Sequence, residues 1–409
     1  MRLLVVGGGS GGHITPALAV VREVLEKRPR TRVEFWTDRK YYKNVVKNTT
    51  EIGMKWGNEN SVKREYIRVR RILAGKFRRY AGWKFEDYFR HFDVTLKDLI
   101  FGNFLGFLGF LGGLVVSFAR LLPKKNRPDV IFLKGGFVGL PVGIAAKILG
   151  IPYVIHESDM VPGLANRILM KKAEVVAMGM PFEEKQGREK WRWVGIPVGE
   201  EFKKASAART KSLKKSFGFD EEKLLVVITG GSQGSLNLDE ATRRILPDLL
   251  EKASVGLVAG RKHYETMIDL KKYEDWDKAK LQSNFRMWEF NSAMFDLLGA
   301  ADVVVSRAGA TTIAELANLG KSVILVPYAR LPGGHQVKNA ELLEKEEAVL
   351  VVNDEKMQEK PEILLKAILN LLKNADKREE LAAKLHGEAK PEAARELAEI
   401  LFEVNDAKR

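Results

Sequence analysis

The sequence predicts an α/β protein made of two doubly wound domains in tandem. Three observations carry that expectation. Short aliphatic strands alternate with helix-period segments, first over residues 1–195 and again from Leu224 onward. Glycine turns stand at three strand-to-helix junctions. Between the two alternations lies a polar stretch poor in aliphatics, GEEFKKASAARTKSLKKSFGFD at 199–222, which reads as a linker. Such alternation implies parallel sheets with right-handed crossovers, and ligands beyond the carboxyl ends of the strands.

The 409-residue length suits two to three domains, most simply two. Apolar content of 45% and charged content of 30% are those of a globular protein. The absence of cysteine excludes disulfides and thiolate metal sites and suits a cytoplasmic protein. Residues 1–6 are too soon broken by glycine to read as a signal peptide. A net charge of +15 calls for an acidic partner: nucleic acid, a phosphorylated substrate or an anionic membrane face.

In the first half, strands are expected at 3–6, 32–37, 129–133, 152–155 and 174–177, with helices at 15–27, 39–48, 138–149 and 161–171. The first junction is GGGSGGHITP, Gly7 to Pro16, with Thr15 as a plausible N-cap and Pro16 in the first helical position. Strand, glycine turn and helix N-terminus in that order form a phosphate cradle, although a plain tight turn has the same pattern. His13 sharpens the reading, because a titratable group beside a phosphate seat is placed for acid–base work. A second turn, Lys134-Gly135-Gly136-Phe137-Val138-Gly139, follows the strand at 129–133. His156-Glu157-Ser158-Asp159 follows the next strand; the pair His156/Glu157 can orient a hydroxyl or hold a proton, and Ser158 and Asp159 can cap a helix. No third ligand nearby makes it a metal site.

Residues 61–122 break the alternation. Residues 61–90 carry ten Lys/Arg against three acids, with aromatics interleaved. Leu99–Ala119 then runs without a charge, near the roughly 20 residues of a spanning helix but with five glycines. Spanning would leave parts of one sheet on opposite membrane faces, so a hairpin or helix dipped into one leaflet is expected, beside a basic and aromatic belt. A buried crossover helix is the alternative. Basic plus aromatic also suits nucleic acid, but the adjacent uncharged run favours a membrane.

In the second half, strands are expected at 224–228, 255–259, 284–287, 302–305, 322–326 and 348–352, and helices at 235–252, 262–273, 292–299, 311–319 and 335–345. The third glycine turn is Gly230-Gly231-Ser232-Gln233-Gly234; no Gly-Lys-Ser/Thr follows it, so it is not a Walker loop. Glu315, four residues past Thr311, can accept the paired hydroxyls of a ribose or be a dipole-favoured helix acid. The loop with His335 and Gln336 can present polar groups to a ligand. His91, His263 and His386 fall outside these motifs and read as surface or structural. The last helical segment, 389–409, is expected to pack back on the first domain.

Together GGGSGGHITPALA, KGGFVGLPVGIAAKILGIP, HESDMVPGLANRI, GGSQGSLNL, ADVVVSRAGATTIAEL and VPY…HQVKNA resemble the MurG family of peptidoglycan N-acetylglucosaminyltransferases, in the family's order and over nearly the whole chain. The resemblance implies two Rossmann-like domains of the glycosyltransferase B type: an acceptor and membrane-associating domain at 1–198, and a UDP-sugar domain at 199–388. It implies an inverting transfer of N-acetylglucosamine from UDP-GlcNAc to the 4-hydroxyl of the muramic acid of lipid I, giving lipid II. It further implies His13 as the base, with His156 and Glu157 at the reaction centre. Ser10, Gly11, Gly12, Gly135, Gly136, Phe137 and Asp159 would serve the acceptor diphosphate. Ser232, Gln233, Gly234, Phe290, Asn291, Arg307, Glu315, His335 and Gln336 would hold the donor. No cofactor, metal or nucleic acid is expected, and the place of work is the cytoplasmic face of the membrane. Phe137, Asp159, Gly199 and His335 depart from the commoner Tyr, Asn, Arg and Gln. The alternatives are a sibling transferase acting on another lipid, an isomerase like UDP-GlcNAc 2-epimerase, or a non-catalytic tether.

Overall fold

The computed structural model describes residues 1–57, 67–77, 99–182, 189–231, 234–260, 263–267, 278–330 and 333–408. The chain divides into two compact units: residues 1–199 with 330–333 and 390–409, and residues 200–329 with 334–389.

The first unit is a seven-stranded sheet. Its strands are β1 (Arg2–Val6), β2 (Arg32–Thr37), β3 (Ile67–Arg71), β4 (Val130–Leu133), β5 (Tyr153–Glu157), β6 (Val175–Met178) and β7 (Trp191–Trp193), in the order β3-β2-β1-β4-β5-β6-β7. Every pairing is parallel. Strand β1 sits near the centre, so both its faces are covered. Leu3 and Val5 pack into one core layer, and Leu4 and Val6 into the other. The strands β3 and β7 were not expected, and both are edges. Ile67–Arg71 reads IRVRR and stays half-exposed, so no continuous aliphatic run announces it.

Helix α1 (Gly11–Lys27) starts four residues before the expected Thr15, with Ser10 in the extended N-cap conformation. His13 therefore lies in the first turn of the helix, and Pro16 inside it. The other helices of this unit are α2 (Tyr42–Gly57), α3 (Gly102–Leu121), α4 (Gly139–Leu149) and α5 (Leu164–Leu169). The C-terminal helix of the chain, Ala393–Asp406, buries Leu397, Ile400 and Leu401 in the layer formed by α1.

The stretch containing α3 is neither a hairpin nor a buried crossover. It is one helix long and apolar enough to cross a membrane, and only 11% of its most apolar 18-residue window is buried. Its glycines form the inner stripe. A Cβ on Gly106 would lie 3.0 Å from the Lys76 carbonyl oxygen, and one on Gly113 3.2 Å from Pro141 Cγ. That close approach turns Phe104, Leu105, Phe107, Leu108, Leu111 and Val115 outward, all at least 40% exposed. Most of the basic and aromatic belt expected at 61–90, namely 61–66 and 78–90, lies outside the described residues.

The second unit is a six-stranded parallel sheet: β8 (Leu225–Thr229), β9 (Ser254–Val258), β10 (Phe285–Trp288), β11 (Val303–Ser306), β12 (Ser322–Leu325) and β13 (Leu350–Val351), in the order β10-β9-β8-β11-β12-β13. The supposed linker holds a helix, α6 (Ala207–Ser216), capped by Ser206, whose Oγ accepts from Arg209 N. Its aliphatic Leu213 is buried, and Lys214 is held by Asp302 at 2.7 Å. Then come α7 (Leu236–Leu250), α8 (Tyr264–Met267), α9 (Lys278–Asn284), α10 (Met294–Ala300), α11 (Ala310–Leu319) and α12 (His335–Lys345). The remainder are α13 (Asp354–Glu359), α14 (Glu362–Lys373), α15 (Ala375–Gly387) and the C-terminal helix α16 described above. His386 on α15 donates from Nδ1 to the Ala317 carbonyl at 2.8 Å, a structural role.

Candidate active site

In the first unit the two glycine turns lie at the carboxyl ends of the neighbouring strands β1 and β4 and meet around His13. Gly136 has φ +75°, and a Cβ on it would lie 3.0 Å from His13 Cε1, so only glycine lets the second turn close on the imidazole. Gly9, φ +81°, likewise accommodates the ring of Phe137. His13 Nδ1 is 2.8 Å from the Gly8 carbonyl and 3.2 Å from Ser10 Oγ. A carbonyl only accepts, so Nδ1 carries the proton and Nε2 keeps its lone pair. Packing against protein, then the charge of Lys134, lower the His13 pKa to about 4; the Gly8 carbonyl and Asp159 oppose this weakly. The imidazole is therefore neutral at pH 7. Gly11 and Gly12 open α1, placing the positive end of the helix dipole beside His13.

The HESD cluster sits under this site rather than in it. His156 is fully buried and donates from Nε2 to the Gly195 carbonyl at 2.8 Å; burial and Lys134 push its pKa well down. Glu157 is nearly buried, and its oxygens accept from Asp159 N (3.1 Å), Gly163 N (2.9 Å) and Asn166 Nδ2 (2.8 Å). Desolvation raises its pKa despite those bonds. Glu157 thus orders the loop before α5, His156 ties β5 to the chain after β7, and both are buried. Asp159 stays part-exposed on that loop. Lys134, passed over in the sequence, is the buried cation of the cluster; its Nζ donates to Ser158 Oγ at 2.5 Å.

In the second unit the third turn follows β8. Gly231 and Gly234 both have positive φ. Ser232 and Gln233 lie outside the described residues. Ser235 caps α7, its Oγ accepting from Leu238 N at 3.4 Å. Arg307, at the end of β11, is 7% exposed. Its Nε and Nη2 donate to Ser235 Oγ, and its Nη1 to the Val326 carbonyl (2.9 Å) and Asp354 Oδ1 (2.6 Å). Asp354 also accepts from Asn237 and Gln358. Arg307 therefore braces the loop from beneath and does not present a free guanidinium. Asp354 and Ser235 escaped the sequence reading because their partners are 47 and 72 residues from them. Asp239, on the first turn of α7, is buried with neither oxygen hydrogen-bonded; burial lifts its pKa to about 8. His263, read as surface or structural, lies beside the turn, 3.1 Å from where a Gly234 Cβ would be.

Glu315 lies on α11, and desolvation, then Glu201, push its pKa up to about 8. Phe290 is 64% exposed just after β10. Asn291 Oδ1 accepts from Ala293 N at 2.8 Å. Gln336 Oε1 accepts from Tyr328 N at 2.9 Å, closing its loop, and His335 opens α12.

Comparison with known proteins follows the same division. Residues 3–178 match the glycosyltransferase family 28 N-terminal domain and residues 225–397 its C-terminal domain. The chain is 36% identical over 380 residues to a Clostridium perfringens UDP-N-acetylglucosamine--N-acetylmuramyl-(pentapeptide) pyrophosphoryl-undecaprenol N-acetylglucosamine transferase, covering 92% of this chain and 91% of that one. A Bacillus cereus protein of the same name, numbered 2, is 31% identical, covering 94% and 96%. Among solved structures, Acinetobacter baumannii MurG superposes with a TM-score of 0.67 at 22% identity, covering 98% and 99%.

Proposed function

The chain belongs to glycosyltransferase family 28, and on that premise we propose that it is the UDP-GlcNAc transferase that completes lipid II. N-acetylglucosamine passes from UDP-GlcNAc to the 4-hydroxyl of the muramic acid of lipid I, with inversion. The fold is the glycosyltransferase B type, two Rossmann-like domains, as in the solved relative.

His13 takes the proton. Its tautomer is held by Gly8, so Nε2 is the free base between the two turns. The acceptor oxygen attacks the anomeric carbon as its proton passes to Nε2, and the bond from that carbon to the UDP oxygen breaks. The turns at 9–12 and 135–137 seat the acceptor diphosphate, with Phe137 and Asp159 at its border. The departing UDP gains charge, which the N–H groups and helix dipole of the turn at 230–234, including Ser232 and Gln233, stabilise. Glu315 accepts the ribose hydroxyls, backbone near Phe290 and Asn291 reads the base, and His335 and Gln336 face the sugar. His156, Glu157 and Arg307 act by positioning. The observation that carries this reading is the neutral, tautomer-fixed His13 clasped by two phosphate-type turns.

The outward face of α3, beside Arg120, Lys124 and Lys125, suits the anionic cytoplasmic face of the membrane. The enzyme thus works there as a peripheral protein. The test uses radiolabelled UDP-GlcNAc with a short-chain lipid I analogue, with diacylglycerol, and with no acceptor, each with and without chelator. Transfer to lipid I alone, surviving chelation, is expected. Transfer to diacylglycerol points to a sibling enzyme, and donor turnover without acceptor to an isomerase.

A further inference from the structure

Lys134 is 1% exposed, an unusual place for an ammonium, and the glycosyl transfer above leaves it unused. Its position is specific. Its backbone N–H donates to Val6 at the end of β1 (3.0 Å), and a Cβ on Gly7 would lie 3.7 Å from its own Cβ. The next two residues, Gly135 and Gly136, form the second turn, and Gly136 abuts the His13 ring. Among the described residues, Ser158 Oγ is the hydrogen-bond acceptor for its Nζ, although an ammonium has three N–H groups. A buried ammonium thus stands at the base of both turns, with donor capacity left over. The charged and titratable groups facing His13 are Lys134, directly after β4, His156 on β5 and Asp159 from the loop after β5; Glu157 and Asp159 face Lys134, and Asp38 Oδ1, after β2, accepts from Gly9 N at 3.4 Å.

Resting on the reading of His13 as the base, we infer that Lys134 is a positioning residue that couples acceptor binding to the base: its ammonium stands under the two turns that clasp His13, and the acceptor diphosphate, seated between those turns, offsets its charge at the imidazole. The logic is electrostatic. A cation disfavours a second cation nearby, and a bound anion removes the penalty. The base would then be strengthened when a hydroxyl is present to be deprotonated. Lys134 touches neither reacting atom.

The test is a histidine NMR titration of the whole chain, with His13 assigned through His13→Gln. Lys134→Gln keeps a donor for Ser158 but removes the charge. In it the His13 midpoint should rise from about 4 by about one unit, and the acid limb of kcat/KM should rise with it, while donor affinity stays unchanged. A midpoint identical to wild type overturns the inference. The wild-type chain provides a second arm that needs no variant to fold: saturating inorganic pyrophosphate should raise the His13 midpoint, and no movement up to millimolar concentration also overturns it. Wild-type turnover in His13→Gln, with the His13 midpoint still moving in Lys134→Gln and with pyrophosphate, would instead remove the base reading alone.

Discussion

The two units build the same seat and equip it differently. Each places a strand, a glycine turn and a helix N-terminus at a sheet's carboxyl edge. In the first unit the turns surround titratable groups displaced from their ordinary values: His13 down to about 4, Lys134 down to about 8 and Glu157 upward. The second unit has displaced carboxyls too, Asp239 and Glu315 raised to about 8, but its turn is braced by a fixed ion pair, Arg307 and Asp354 at 2.6 Å. The difference separates proton transfer from holding a leaving nucleotide. A base needs a poised pKa, whereas a phosphate seat needs donors that do not move.

The largest effect should come from breaking the first side of this comparison. His13→Ala is expected to lower turnover about 10²–10⁴-fold, read in the lipid I assay, with the fold intact by circular dichroism. On the second side, Asp354→Ala strands the buried Arg307 charge and should cost the second unit about 3–5 kcal/mol, read by denaturant unfolding. A smaller effect is expected at the membrane. Phe104→Ser with Phe107→Ser exposes no new core but removes two outward rings, each worth about 1.5–3 kcal/mol when buried. Flotation with anionic vesicles should fall at least about tenfold, with donor affinity unmoved.

The smallest concerns pH. A carboxylate accepts hydroxyl hydrogen bonds better than a carboxylic acid does. With the Glu315 pKa near 8, UDP affinity should strengthen as pH rises through that value. Isothermal titration between pH 6.5 and 9 checks this, and Glu315→Gln should flatten the profile.

Glycine turns and aliphatic strands were legible because both signals are local. Among the described residues the alternation locates eleven of thirteen strands; the other two, IRVRR and WRW, are edge strands whose charged and aromatic composition carries no buried run. The start of α1 was misplaced because Gly11 and Gly12 have poor helix propensity and Thr15-Pro16 makes a better local start. The helix in 207–216 is mostly polar, and its few buried contacts depend on Asp302 and α10. His13 could be singled out beside its turn, but its tautomer depends on how the Gly8 carbonyl folds back. Lys134, Ser235 and Asp354 act through partners distant in sequence, which no spacing rule reveals.

The most direct measurement is a paired one on His13→Ala and Glu315→Gln: kcat at saturating donor and the dissociation constant for UDP, in each variant. If proton transfer belongs to the first unit and nucleotide holding to the second, His13→Ala loses kcat with wild-type UDP affinity, and Glu315→Gln loses affinity with kcat within a few-fold. Both variants losing the same parameter would contradict the division.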